Sequence, residues 1–159
     1  MDGAASSSSN PSGVQGIFPP GWHLPSNDEW IELETFLAYN GYNFDGSLGD
    51  GGDFGYPKIA KSMATDSGWN YSDNTGAVGN TDYPGYRNKS GFSALPAGNY
   101  IEGGGYKQFG NIGVSSEWWS STENGANVVW IRMMSYIGPT IIADGLGKYS
   151  GRSVRCVQD

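Results

Sequence analysis

The feature that most constrains the fold is the run from Ser116 to Ile137, which reads as two strands and the turn between them. Its first part, residues 117–122, is aromatic and then hydroxyl-rich, as is typical of a pleated surface with one buried side. Asn124-Gly125 marks the turn. Residues 128–137 follow without Gly or Pro and are rich in β-branched and aromatic types. The run predicts an antiparallel strand pair and contains no evident catalytic set.

Two helices are predicted from local signals. Ser26 opens a capping box that Glu29 completes, and apolar residues then recur at three- and four-residue spacings. We therefore expect a helix over residues 26–39 with one apolar stripe facing a core. Residues 57–65 predict a shorter second helix that begins with a proline.

The remaining segments are loops and short strands. The chain has 26 Gly among 159 residues, together with 6 Trp, 10 Tyr and 6 Phe, which favours ordered loops packed by large rings. Short strands are expected at residues 140–143 and 152–157. Residues 1–16 are small and polar, so we expect an extended or mobile lead-in before a single domain over residues 17–159.

Charge and composition exclude several classes of partner. The net charge is −7 with only 9 Lys and Arg, which argues against binding to nucleic acid or to an anionic membrane. No apolar run approaches the roughly 18 residues of a membrane span. The N-terminus lacks the basic start and apolar centre of a signal peptide, so either the protein is not exported or the sequence begins downstream of its export signal.

Candidate catalytic and metal-binding residues are sparse. Cys156 is the single cysteine, which rules out an internal disulfide, and we expect a small buried hydrophobic residue in a C-terminal strand. His23 precedes a helix cap, so a structural hydrogen bond is favoured over base catalysis. Asp45, Asp50 and Asp53 lie on a Gly-rich loop that suits calcium, but the EF-hand pattern is absent. We favour a solvated acidic loop, and no cofactor is predicted.

Four motifs occur in a set order: GWHLPSNDEW at 21–30, GFSALPAG at 91–98, WSSTE at 119–123 and SVRCV at 153–157. Together they resemble the Fibrobacter succinogenes major paralogous domain family, over essentially the whole chain. The resemblance implies an α+β, C-type-lectin-like fold with two helices, a small twisted antiparallel sheet and long ordered Gly/Asn-rich loops. It also implies an extracellular or cell-surface location. Members usually have an aromatic strand ahead of the lead-in, so the chain resembles an excised domain or a short member.

One residue departs from the family pattern. Many members carry a cysteine ahead of the first motif, which would pair with the C-terminal one. Phe18 stands there in this sequence and leaves Cys156 alone. The resemblance therefore implies that an aromatic ring fills the space where a disulfide would sit.

A candidate binding surface follows from strand alternation over residues 130–137. One face carries the even-numbered residues and the other carries the odd-numbered ones. Hydrophobicity alone would bury the odd-numbered set, but family members often carry Asn at positions 133 and 135, which implies that this set points outward. A register shift of one residue would reverse the assignment. A contiguous exposed apolar patch typically marks a binding surface. The expected ligand-contacting residues are Ile131, Met133, Ser135, Ile137, Ile141, Asp144, Leu146 and Tyr149.

The resemblance implies a non-catalytic module that binds a protein or glycan ligand through this surface. Some variable proteins of diversity-generating retroelements share the fold and carry hypervariable positions near the C-terminus. Residues 144–149 replace an Asn-rich stretch of relatives, which fits adenine-directed mutagenesis and equally fits ordinary drift. The alternatives are a structural subunit of a bacterial surface assembly or a catalyst like the formylglycine-generating enzymes. The latter need reactive cysteines that Cys156 alone does not supply. The oligomeric state is left open.

Overall fold

A computed structural model describes residues 5–50, 56–103 and 105–159, and these ranges form a mixed α/β fold with two α-helices and small antiparallel sheets. No helix within them is long and apolar enough to span a membrane. The elements, in chain order, are β1 Trp22–His23, α1 Asn27–Tyr39, α2 Ala60–Met63, a 3₁₀ turn Pro84–Tyr86, β2 Asn99–Gly103, β3 Tyr106–Gly110, β4 Ser115–Glu123, β5 Val128–Ser135, β6 Ile141–Gly147 and β7 Val157–Gln158.

The central sheet has the strand order β4-β5-β6 and is antiparallel throughout. The backbone N–H of Asn124 donates to the carbonyl of Val128 across the turn, at 2.8 Å. The predicted strand pair is confirmed. β6 is longer than the predicted segment 140–143, because all seven of its residues pair with β5.

Helix α1 begins with the predicted capping box. The Glu29 N–H donates to Ser26 Oγ at 3.1 Å, and the Ser26 N–H donates to Glu29 Oε2 at 2.8 Å. A cap of this kind is typically worth about 0.5–2 kcal/mol. Helix α2 is shorter than predicted. It ends because Ala64 is extended and forms a bridge with Ala94.

The chain ends are tied to the body of the domain. β1 pairs with β7, and the Leu24 N–H donates to the carbonyl of Val14 at 2.9 Å. The Ser7 N–H donates to the carbonyl of Ser121 at 3.0 Å. A continuous strand over residues 152–157 was predicted, and this is wrong. Gly151 and Ser153 form isolated bridges, and the strand β7 begins only at Val157. Cys156 is half-buried and lies outside any strand, so the expected full burial in a strand is also wrong.

Residues 99–110 form a hairpin that was not predicted from the sequence. β2 and β3 pair in register, with Tyr100 opposite Phe109 and their rings 5.1 Å apart. The turn contains Gly105 at φ +83°, a backbone conformation that favours glycine. Tyr100 also exchanges two backbone hydrogen bonds with Gly151, so this hairpin is joined to the C-terminal segment.

The hydrophobic core lies between the central sheet and the helices. The Trp30 ring is 5.9 Å from that of Trp118, and Phe92 packs edge-on against Trp118 at 5.4 Å. Such aromatic pairs contribute beyond the area they bury. The core residues are Trp30, Leu37, Ile59, Ala60, Met63, Ala64, Val78, Ala94, Trp118, Met134 and Ile141.

A buried lysine organises the loop that follows α2. The Lys61 side chain is fully buried, and its Nζ donates to the carbonyls of Asn80 at 2.8 Å and Asp82 at 2.6 Å, and to the carboxylate of Asp82. Burial lowers the pKa of Lys61, and the carboxylate of Asp82 opposes that shift. Arg87 Nη2 donates to the same Asn80 carbonyl at 3.0 Å. These bonds fix the loop against the end of α2.

Candidate functional site

The central sheet has two faces, which its register defines. Residues directly opposite each other on paired strands share a face. Trp118, Arg132 and Ala143 lie in one such row, and we call their side of the sheet the inner face. Trp119 and Asp144 flank Ile131 in the next row, on the side that we call the outer face.

The inner face packs against α1. Arg132 is 1% exposed, forms an ion pair with Glu34, and donates from Nη1 to Asn27 Oδ1 at 3.0 Å. Burial raises the pKa of Glu34, while Arg132 opposes the shift. Met134 is 1% exposed and belongs to the core cluster. The predicted inward orientation of Arg132 and Met134 is therefore confirmed.

Three apolar side chains of the outer face are half-buried and lie on neighbouring strands. Met133 lies opposite Ile142, and Leu146 lies two residues beyond Asp144 on β6. Ser135 is also half-buried, and Ile137, beyond the end of β5, is 50% exposed. The outer face therefore presents apolar surface that the core does not use.

The expected exposure is wrong at two positions. Ile131 is 3% exposed, although it lies on the outer face in the row between Trp119 and Asp144. Ile141 is 1% exposed, because it pairs with Met134 on the inner face. Ile142, which was not predicted, takes the place expected for Ile141.

The last two predicted contact residues, Asp144 and Tyr149, are both exposed, but they lie on opposite sides of the sheet. Asp144 is exposed on the outer face. Tyr149 is 71% exposed, and its ring lies against Gly147, where an added Cβ would be 2.4 Å from a ring carbon. Gly147 pairs with Val128, so alternation places this contact on the inner side of the sheet. The structure therefore brings Met133, Asp144 and Leu146 together, but not Tyr149.

A cleft of about 350 Å³ adjoins the outer face. Its lining is apolar apart from Ser120 and an ion pair between Glu123 and Lys148, whose side chains are 36% and 38% exposed. The lead-in, β4, β5 and the C-terminal segment all contribute, through Val14, Gly16, Ile17, Phe18, Leu24, Trp119, Ser120, Glu123, Val129, Lys148 and Val154. No pattern in the sequence identified this cleft, because its walls come from distant segments.

A buried ion pair supports one end of the outer face. Glu117 lies opposite Met133 and pairs with Arg152, and both charged side chains are 6% exposed. Asn99 Nδ2 donates to Glu117 Oε1 at 2.8 Å, and Ser115 Oγ donates to the same oxygen at 2.9 Å. The ion pair with Arg152 holds the C-terminal segment against β4, and the two hydrogen bonds fix the Glu117 carboxylate. In the sequence, the indication of this buried ion pair is the acidic residue Glu117 next to two tryptophans in a predicted strand.

His23 is held between two carboxylates. Its Nδ1 is 2.6 Å from Asp159 Oδ1, and its Nε2 is 2.7 Å from Glu29 Oε1. Both nitrogens donate only in the imidazolium form. Burial lowers the pKa of His23, but the hydrogen bonds from the imidazole to the two carboxylates outweigh it and the pKa is raised. His23 therefore has no free ring nitrogen to offer a substrate.

The acidic loop gives no metal site among the described residues. Asp45 pairs with Lys58 Nζ at 2.7 Å and accepts from Ser47 Oγ at 2.6 Å. Burial opposes the shift, but these hydrogen bonds lower the pKa of Asp45 to about 2. Asp50 is exposed, and Asp53 lies outside the described residues. No group of three His, Cys, Asp or Glu side chains in those ranges is arranged to hold a metal ion.

A second groove, of about 740 Å³, runs between α1 and the C-terminal segment. Its lining includes four aromatic residues, Trp22, Trp30, Phe36 and Phe92. The Arg155 guanidinium lies 4.5 Å from the Phe92 ring centroid, in a cation–π contact. Cys156 lines this groove, whereas Phe18, expected beside it, lines the cleft.

Comparison with known proteins gives one match. The family model described as the Fibrobacter succinogenes major domain matches residues 6–158. No curated protein and no solved structure matches the chain.

Proposed function

The chain belongs to the Fibrobacter succinogenes major domain family, and we propose on this basis that it is a non-catalytic module that binds a protein or glycan ligand through the outer face. The observation that carries this proposal is the apolar surface formed by Met133, Ile142 and Leu146 on two adjacent strands. Apolar side chains grouped on one face, away from the core, are typical of a binding surface.

A C-type-lectin-like fold is part of the proposal. Its support is the pairing of the terminal strands β1 and β7, the two helices, and the antiparallel β4-β5-β6 sheet. The irregular segment over residues 64–98 is fixed by polar contacts such as those of Lys61 with Asn80 and Asp82. The family resemblance supports the same assignment.

The chemistry of the described residues favours binding over catalysis. His23 is buried, and both of its ring nitrogens are engaged by carboxylates. Ser120 and Ser121 are fully buried in β4, and their hydroxyls donate to the carbonyls of Thr122 and Ser7. Cys156 has no second cysteine with which to form a redox pair. These placements favour a structural role for each group.

A cell-surface location and diversification of the outer face are proposed from the family resemblance. Positions 131, 133, 135, 144 and 146 lie on one face of one hairpin. The gene neighbourhood tests the second point. A reverse transcriptase gene and an imperfect repeat of codons 128–157, differing mainly at adenines, would support diversification. A gene neighbourhood with neither the reverse transcriptase nor the repeat would contradict diversification and leave the proposal of a fixed binding surface.

Binding is tested with glycan and surface-protein arrays probed by the wild-type protein and two variants. Met133→Glu places a charge within the apolar outer face and should abolish binding. Ile101→Glu makes the same kind of change at a 42% exposed position on β2, and it should bind like wild type. A ligand that both variants retain, or that both lose, would place the binding site elsewhere.

A structural subunit is a second candidate function, which the edge of β3 favours. Among the described residues, β3 pairs only with β2. Tyr100 directs its N–H and C=O toward Gly151, so its partner Phe109 directs its own away from β2. The Phe109 side chain is 79% exposed beside this open edge. Sedimentation velocity would support this role by showing concentration-dependent oligomers that Phe109→Lys dissociates.

A further inference from the structure

We propose that the outer face selects a protein segment carrying an apolar side chain close to a Lys or Arg. The apolar side chain would occupy the cleft, and the cation would pair with Asp144. This inference rests on the proposed function and specifies the chemistry of the partner. It depends on three features of the site: the apolar lining and size of the cleft, the position of the Asp144 carboxylate, and the charges of the side chains around the cleft.

The cleft accepts an apolar group. Val14, Leu24 and Val129 are buried side chains that form part of its walls, and Ile17 and Val154 are exposed at 79% and 44%. At about 350 Å³ it has the size of a small ligand pocket. Burial of an apolar side chain there removes both surfaces from water and provides most of the binding energy.

Asp144 lies beside this cleft. It is opposite Ile131, whereas Val129, two residues before Ile131, lies opposite Leu146. Asp144 is therefore a diagonal neighbour of the cleft residue Val129, a separation of about 7–8 Å between such positions. Asp144 Oδ1 accepts from the Gly145 N–H at 2.7 Å, and no cation among the described residues pairs with the carboxylate.

The charge around the cleft favours a cation. Lys148 and Glu123 form an ion pair with each other, so they contribute little net charge. Asp144 is then the exposed unpaired charge of this face, in a protein of net charge −7. The negative electrostatic potential of this face raises the association rate with basic partners and lowers it with acidic ones. An apolar residue two positions from a Lys or Arg along an extended segment has the spacing that this arrangement requires, because both side chains then lie on the same face.

Three synthetic peptides of equal length test the inference. They share one Leu and differ only in the residue two positions further along, which is Lys, Gln or Glu, so that both side chains lie on one face of an extended peptide. Binding is followed by Trp fluorescence, to which Trp119 in the cleft wall contributes, and by calorimetry. The Lys peptide should bind most tightly and the Glu peptide most weakly. Val154→Ser should weaken all the peptides alike, because it removes apolar wall without changing charge.

Asp144→Asn is the decisive variant, with Asp73→Asn as the matched control at another exposed aspartate. Asp144→Asn should weaken the Lys peptide about twofold to fivefold, as expected for an exposed ion pair, and leave the Gln peptide unchanged. Asp73→Asn should change neither. Equal effects of the two variants, or equal binding of all three peptides, would overturn the inference. Glycan binding that Met133→Glu abolishes, with no peptide bound, would overturn it while preserving the proposed function.

Discussion

The inner and outer faces of the central sheet are built from similar side chains but are covered differently. β5 alternates between them, so Met133 and Met134 are adjacent in sequence and lie on opposite faces. Met134 is in the core, whereas Met133 is half-buried. The inner face is covered by α1, which packs Trp30 beside Trp118 and pairs Glu34 with Arg132. Each face holds a buried ion pair, so the difference shows that the packed helix, rather than apolar content or charge, distinguishes the core side.

Removal of the Arg132 side chain would break this comparison most severely. Arg132→Ala leaves Glu34 buried without its partner and should destabilise the protein by about 3–5 kcal/mol, measured by urea unfolding. If that variant does not fold, the double variant Arg132→Met with Glu34→Met separates pairing from packing. The double variant should recover most of the stability, because it leaves no unpaired charge. A single variant that matches wild type would show that α1 covers the inner face without this ion pair.

The two methionines provide a matched comparison of the faces. Met134→Ala removes a fully buried side chain and should cost about 2–5 kcal/mol. Met133→Ala removes a half-buried side chain, so it should reduce the free energy of unfolding clearly less than Met134→Ala does. Both variants are measured by urea unfolding under the same conditions. Equal losses would mean that the outer face is as tightly covered as the inner one.

A pH series sharpens the comparison, because His23 holds α1, the helix that covers the inner face, through Glu29. The pKa of His23 is raised in the folded protein above its ordinary value of 6.5. Its contribution is therefore complete below about pH 6.5 and is lost as the pH rises through the folded pKa. The free energy of unfolding should therefore decrease above pH 6.5, because neutral imidazole donates to only one of the two carboxylates.

His23→Gln is the control for that series, followed by urea unfolding from acidic to mildly alkaline pH. The variant should be less stable than wild type at low pH and should show a flatter profile above pH 6.5. Parallel profiles for the two proteins would exclude His23 as the titrating group.

The parts of the fold that local sequence determines were predictable. The capping box of Ser26 and Glu29 sets the start of α1 without help from the rest of the chain. Alternation and the Asn124-Gly125 turn define β4 and β5 in the same way. The β2–β3 hairpin was missed because Gly-rich sequence weakens its strand pattern and its pairing depends on the distant Gly151.

The candidate site was less predictable because it depends on register. Nothing in the residues after β5 fixes whether Ile141 or Ile142 faces outward, and a slip of one residue exchanges them. Ile131 is buried on the outer face, and its neighbours there, Trp119 and Asp144, come from two other strands that the local sequence does not bring into register. The orientation of β5 was predictable only through the family resemblance, because alternation places Arg132 and Met134 on one side without showing which side is buried.

The buried Lys61 side chain does for its loop what a bound cation does in other proteins. Its ammonium takes two backbone carbonyls and one carboxylate, an oxygen set of the kind that otherwise surrounds a bound cation. The loop over residues 70–90 is thus held by a cation that the chain itself supplies from α2. At this position the lysine takes the place that a bound metal ion has in other oxygen-lined loops.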